Sequence, residues 1–371
     1  MSSRWEQQLE QTWDVVQEDE HGALVVLESA DELLRRRRRR DVQSNVRRGM
    51  DRHVFLVLDN SAAMEVVDMK PWDRRTATLQ LAERFVRDFF DQNPISHLGI
   101  IVTANGVAVK VTDLSGSPDR HIARLRQLSE QGGEPSLQNA LQVALASLAF
   151  VPKYGSREIV CIMASLTTCD PSNVHDTIAE LRNERVRCSV VCLSAEVGIY
   201  KSLAVRTRGS FVVPLHIEGF RDALLDHTSP PPTTDRVKAS LIQMGFPRAH
   251  QSEHPLLCVC HRELRHGAFQ CPRCHARCCE LPTTCLVCGL ALLSSPHLAR
   301  SYHHLYPILP FEVHAVAAGA AIECVGCLQP CTAQAFQCTE CAGMFCNDCD
   351  AFVHDLLHNC PSCEAAPARK T

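Results

Sequence analysis

The sequence predicts an α/β fold, with a doubly wound domain over residues 51–228 followed by small cysteine-rich domains. Three observations lead there. Short apolar runs alternate with amphipathic stretches from residue 52 to about residue 228, the segment SPPPTT at 229–234 breaks that pattern, and six CxxC pairs then appear while regular periodicity vanishes.

The strands are read in order as HVFLVL (53–58), LGIIV (98–102), VAVKV (107–111), IVCIM (159–163), CSVVCL (188–193) and FVVPL (211–215). Most are continuous β-branched runs, as expected where helices cover both faces of a parallel sheet. VAVKV alternates, which suits an exposed edge. Leu79, Ala82, Val86 and Phe89 share one helical face, as do Leu137, Leu141, Leu145 and Leu148, and Val174, Ile178 and Leu181. Asp170 and Pro171 are expected to open the last helix as N-cap and first-turn proline. Strands alternating with helices in this way predict a mostly parallel sheet with helices on both sides.

At 371 residues the chain has room for two or three domains. A hydrophobic content of 45% and a formal net charge of −4 suit a soluble globular protein and argue against wholesale coating of nucleic acid. The opening MSSRWEQQLEQTW has no apolar stretch of the secretory kind. The apolar run at 315–322 is far too short to cross a bilayer. An intracellular chain without membrane contact is therefore expected. Residues 1–34 carry nine acids and one arginine, and six consecutive arginines follow at 35–40. That run is read as a solvated arm neutralising the acidic lead-in, with nuclear import or a nucleic-acid contact as the alternative. Trp5, Trp13, Val15 and Val16 suggest that the arm packs on something.

Inside a cell thiols stay reduced, so 21 cysteines imply metal rather than disulfides. Seventeen of them lie beyond residue 250. The pairs are Cys271 and Cys274, Cys285 and Cys288, Cys324 and Cys327, Cys338 and Cys341, Cys346 and Cys349, and Cys360 and Cys363. A CxxC turn puts two thiolates on one side of a tight knuckle, and two knuckles make a tetrahedral zinc site. The first two pairs, C-x2-C-x10-C-x2-C, predict one zinc ribbon. The last four are spaced by ten, four and ten residues. The short middle gap favours a cross-brace, pairs one and three on one ion and pairs two and four on the other, which is the RING topology. About three zinc ions on twelve cysteines are expected.

The absence of a C-x2-C-x2-C run disfavours an iron–sulfur cluster. Cys258, Cys260, Cys278, Cys279 and Cys331 lie outside the pairs. Cys258 and Cys260 are read as ordinary thiols in preference to substitute ligands. His354 and His358 are read as locally satisfied histidines.

The strand HVFLVL runs into Asp59, Asn60, Ser61, Ala62 and Ala63. The carboxyl end of a strand in a doubly wound sheet is where ligands bind. The segment resembles the von Willebrand factor A (vWA) domain, whose D-x-S-x-S loop holds magnesium through one carboxylate and two hydroxyls. Here Ala63 offers no oxygen, and Ser165, Leu166 and Thr167 stand where the pattern has an Asp. A hard cation needs several oxygen ligands, so no magnesium is expected, and Asp59 is read as hydrogen-bonding its own loop.

Longer segments carry a closer resemblance: FFDQNPIS (89–96), SLTTCDPSN (165–173), LSAEV (193–197), MGFP (244–247), PHLARSYHHL (296–305) and FCNDCDAFVHD (345–355). With RWEQQLEQTW at 4–13, the chain closely resembles, nearly end to end, the family of the TFIIH core subunit that partners the XPD helicase. The resemblance implies a nuclear, non-catalytic scaffold in promoter opening by RNA polymerase II and in nucleotide excision repair. It implies a vWA domain that docks on XPD and stimulates it, and a RING-like module that binds the smaller vWA–zinc subunit of TFIIH. Other core subunits are implied as further partners, with DNA touched only indirectly. The chain departs from the family's pattern in a contracted stretch between Pro247 and Cys271.

The layout expected is an N-terminal arm at 1–50, the vWA-like domain at 51–228, a linker at 229–257, a four-cysteine zinc-finger domain at 258–300, a connector at 301–323, an all-cysteine RING-like domain with two four-cysteine sites at 324–363 and a tail at 364–371. The stiff SPPPTT segment is expected to hold the vWA-like domain apart from the zinc modules.

Two rival readings are weaker. A RING-type ubiquitin ligase is compatible with Val325 and Pro361, but Glu364 follows the last ligand where active RINGs often place a basic residue. An adhesion-type vWA receptor is disfavoured by Ala63. No P-loop or nucleophile arrangement is present.

Overall fold

The computed structural model describes residues 16–18, 24–26, 51–129, 132–152, 155–231, 241–305, 308–316, 322–331, 334–357 and 359–365. The six arginines at 35–40, His358, and parts of the SPPPTT segment and of the tail lie outside these residues. Two short strands, β1 (Val16–Glu18) and β2 (Leu24–Val26), pair antiparallel. The chain divides into two units: Arg47–Leu305, and a second formed by Met1–Val46 with Tyr306–Thr371.

In Arg47–Leu305 the β-branched runs become β3 (Arg52–Asp59), β4 (His97–Ala104), β5 (Val107–Ser115), β6 (Ser156–Met163), β7 (Arg187–Cys192) and β8 (Phe211–Val212). Their order in one sheet is β5-β4-β3-β6-β7-β8, with every pairing parallel except β4 with β5. The alternating run is the antiparallel edge, and Val107 and Val109 are exposed there. The sequence order turns back at β3, so its carboxyl end, at Asp59, lies at the switch point of the doubly wound, vWA-type sheet.

Helices cover both faces: α1 (Arg74–Gln92), α2 (Pro118–Leu125), α3 (Leu137–Leu148), α4 (Val174–Asn183), α5 (Gly198–Arg206) and α6 (Ile217–Leu225). Successive β3 side chains point to opposite faces. Val54, Leu56 and Leu58 pack with Phe85 and Phe89 of α1, while Phe55 and Val57 pack with Leu141 and Ile178. At the start of β3, Arg52 is fully buried and paired with Glu158.

Two expectations are corrected here. The N-cap of α4 is Asn173, whose side chain accepts from the N–H of His175 at 3.1 Å, not Asp170. The Asp170 carboxylate instead accepts from Gln138 N–H at 2.8 Å, Ser136 Oγ at 2.9 Å and Thr168 Oγ1 at 2.8 Å, so it serves the start of α3. A carboxylate at the positive end of a neighbouring helix is as well placed as at its own.

The second concerns the stretch read as linker. It contains β9 (Met244–Gly245) and β10 (Arg248–Leu257). β10 pairs with β11 (Leu264–Gln270), which pairs with β12 (Arg277–Cys278). β9 runs parallel to β14 (Ala291–Leu292), which pairs with β13 (Thr283–Thr284). The module ends in α7 (Ser295–Leu305), where Arg300 Nη1 donates to Asp91 Oδ1 of α1 at 2.9 Å. The first cysteine module therefore belongs to the same unit as the sheet rather than standing apart from it.

The second unit carries β15 (Glu312–Ala315), β16 (Ile322–Glu323), β17 (Pro330–Cys331), β18 (Gln334–Gln337), β19 (Met344–Phe345), α8 (Asn347–Phe352) and α9 (Pro361–Ala365). Phe311, Phe336, Phe345 and Val353 are buried together with Cys324, Cys338 and Cys360. In so small a core the cysteine sulfurs replace much of the aliphatic packing.

Candidate metal centres

Four of the six cysteine pairs are shaped by one backbone turn before any ion is considered, while those at Cys346 and Cys360 stand at the starts of α8 and α9. Cys271 N–H donates to Ala276 O at 2.9 Å and His275 N–H returns to Cys271 O at 3.0 Å. The same two bonds recur at Cys285 with Leu290 and Gly289, at Cys324 with Gln329 and Leu328, and at Cys338 with Gly343 and Ala342. In every case the residue four positions after the first cysteine has positive φ, from 57° to 71°. This left-handed step folds the chain back and turns both thiols to one side.

The knuckles meet in three sets: Cys271, Cys274, Cys285 and Cys288; Cys324, Cys327, Cys346 and Cys349; and Cys338, Cys341, Cys360 and Cys363, with all ligand atoms in a set within 4.8 Å of one another. Sulfur–sulfur separations are 3.6 Å for Cys271 and Cys288, 3.5 Å for Cys274 and Cys285, and 3.7 Å for Cys327 and Cys346, Cys338 and Cys363, and Cys341 and Cys360. These are far longer than a disulfide bond of ~2.05 Å. They match the edge of a tetrahedron whose centre lies ~2.3 Å from each sulfur, about 3.8 Å. Donor set and size therefore suit zinc, and the last four pairs interleave as a cross-brace.

Backbone N–H groups favour the thiolate at Cys324 and Cys271. Burial opposes it at Cys324, but the N–H groups of Cys327, Cys346 and Gly326 bring that thiol down to about 6. At Cys271 burial is likewise outweighed, by the N–H groups of Cys274 and Arg273, leaving it at about 7. Gly326 is a steric requirement too, since a Cβ there would lie 2.9 Å from Cys349 Sγ.

His354 is satisfied locally, its Nδ1 bonded to Asp350 O at 2.8 Å and its Nε2 to Leu309 O at 3.3 Å. Cys331 is buried outside the clusters. Two further gatherings among the described residues had no CxxC signal: Cys258, His261 and Cys279, and Asp51, His53 and His97.

At the carboxyl end of β3, Asp59 is 3% exposed and both its oxygens are taken. Oδ1 accepts from Ser61 N–H at 2.9 Å, and Oδ2 accepts from Ala164 N–H at 2.9 Å and Ser165 N–H at 3.0 Å. Tyr200 Oη donates to Ser165 O at 3.1 Å from below. The carboxylate thus ties the loop after β3 to the loop after β6, where a vWA ion site would have its metal.

The Ssl1-like family model matches residues 57–247, and the TFIIH C1-like domain model matches residues 323–365, the cross-braced module. General transcription factor IIH subunit 2 of Dictyostelium discoideum is 44% identical, over 97% of this chain and 81% of that protein. General transcription and DNA repair factor IIH subunit ssl1 of Schizosaccharomyces pombe is 39% identical, over 98% of this chain and 90% of that protein. Among solved structures, the SpRpn10 VWA domain aligns with a TM-score of 0.40 at 15% identity, covering 47% of this chain and 92% of that one.

Proposed function

The chain belongs to the Ssl1-like family of TFIIH core subunits, and from that premise we propose that it is a nuclear, non-catalytic subunit that binds and stimulates the XPD helicase in repair and transcription initiation. The observation that carries this reading is that the likeness runs through both halves, the α/β domain and the cross-braced module. The α/β domain is the XPD-binding part. Its ligand end is closed by the Asp59 hydrogen bonds, so it takes no magnesium, while Val66, Val67 and Leu166 stand exposed in the loops around it. The RING-like module binds the smaller vWA–zinc subunit, and contact with DNA is indirect.

Three zinc ions are held by the twelve paired cysteines, in a structural role. No helix among the described residues is long and apolar enough to cross a membrane. The test is XPD turnover, DNA-dependent ATPase and unwinding, with and without the full chain. Stimulation is expected, and Cys346→Ser is expected to lose the smaller subunit in pull-down while still stimulating XPD. A folded full chain that leaves XPD rates unchanged removes the regulatory half of the proposal. Val325 is exposed in the first RING knuckle, a feature that favours a ubiquitin ligase instead. Discharge of ubiquitin from conjugating enzymes that is abolished by Val325→Ala would put that reading first.

A further inference from the structure

We propose that Cys258, His261 and Cys279 form a fourth zinc site, separate from the twelve paired cysteines. The backbone around Cys258 sets the geometry. Cys258 N–H donates to Glu263 O at 2.9 Å, Arg262 N–H returns to Cys258 O at 3.0 Å, and Arg262 has φ 60°. Those are the two bonds and the left-handed step of the four knuckles at Cys271, Cys285, Cys324 and Cys338. In such a knuckle the second ligand stands three residues after the first, and here that residue is His261. Its N–H points at Cys258 Sγ at 3.4 Å.

The third donor arrives as it does in the RING-like module. There Val325 N–H donates to Met344 O at 2.8 Å, and Cys346, two residues further on, supplies the facing sulfur. Here Val259 N–H donates to Arg277 O at 2.9 Å, and Cys279, two residues further on, faces the knuckle. His261 Nδ1 lies 3.0 Å from Cys279 Sγ, and the three ligand atoms fall within 4.8 Å of one another.

Two thiolates and an imidazole are zinc donors, and three of them leave the fourth position of the tetrahedron to solvent. The position equivalent to Cys349 is Pro282, which has no donor. Cys260 is not among the three gathered atoms. The ion would pin the β10–β11 hairpin to the strand that carries Cys278.

The test is the zinc content of the full chain by native mass spectrometry, wild type against His261→Ala and Cys279→Ser. Each variant is expected to hold one ion fewer than wild type. Cys274→Ser, run in parallel, reports the ribbon separately, so failure of the ribbon assignment and failure of this one are distinguished. A second readout needs no variant. In zinc-loaded wild type, Cys279 is expected to resist alkylation while Cys260, also half-buried, reacts. Equal zinc content in wild type and both variants, or equal alkylation of Cys279 and Cys260, overturns the site.

Discussion

Arg52 and Glu158 form a buried, two-pronged ion pair across β3 and β6: Arg52 Nε meets Glu158 Oε1 at 2.9 Å and Nη2 meets Oε2 at 2.8 Å. The same guanidinium donates to Thr228 O at 2.7 Å and His227 O at 2.9 Å, fastening the end of the domain. Arg52→Met leaves a buried carboxylate without its cation, which should cost about 3–5 kcal/mol of stability. The double variant Arg52→Met, Glu158→Leu should recover much of that, as read by denaturant unfolding. Equal losses for the single and double variants would mean that the carbonyl contacts, not the pair, dominate.

Asp59 predicts indifference to magnesium. Titrating magnesium into the full chain should leave its melting temperature unchanged. Asp59→Ala should destabilise in the presence or absence of the ion, because three buried N–H donors lose their acceptor, at about 1–3 kcal/mol each. A stabilisation that saturates with magnesium and vanishes in Asp59→Ala would revive an ion site.

The two cysteine modules should respond differently to single substitutions. Cys274→Ser loosens a module that packs on α1, and each 1 kcal/mol lost there should lower the melting of the α/β domain by ~2–4 °C. Cys346→Ser should abolish the RING-like module and leave that transition in place. Zinc release and circular dichroism, followed on the same melt, separate the outcomes.

Acid should weaken the α/β domain in a defined window. His53, His97, His121 and His227 are each pushed down to about 4, chiefly by burial. They are neutral in the fold and titrate near 6.5 when unfolded. Stability is therefore full above about pH 6.5 and falls as pH drops towards 4. His121, which bonds Thr112 Oγ1 at 2.9 Å and Ser115 O at 3.2 Å, offers the check. His121→Gln should flatten the slope of melting temperature against pH, with zinc release monitored in parallel. An unchanged slope would remove His121 from the account.

How legible this was depends on the range of the interaction. Most of the six strands were visible because residues such as Val54 to Leu58 are buried on both sides and leave an unbroken apolar run, and the edge strand because its run alternates. The cross-brace was visible because a four-residue gap between Cys341 and Cys346 disfavours sequential sites. The capping of α3 by Asp170 was not visible, since it joins residues 32 apart, and a local rule assigned the carboxylate to its own helix. The strands at Met244–Gly245 and Arg248–Leu257 were hidden because partly exposed positions leave no apolar period. His261 carried no signal because its partner Cys279 is 18 residues away and belongs to no CxxC pair.

The interleaving of the last four knuckles also bears on how zinc is gained and lost. Once Cys324 and Cys327 are joined to Cys346 and Cys349, the chain between and beyond them has already brought Cys338 and Cys341 towards Cys360 and Cys363. The first ion thus meets most of the ordering entropy of the second, which makes binding positively cooperative. Molecules with one ion in this module should be scarce at any zinc level, the population splitting into empty and doubly loaded forms. The folded fraction of this module would then rise steeply over a narrow span of free zinc.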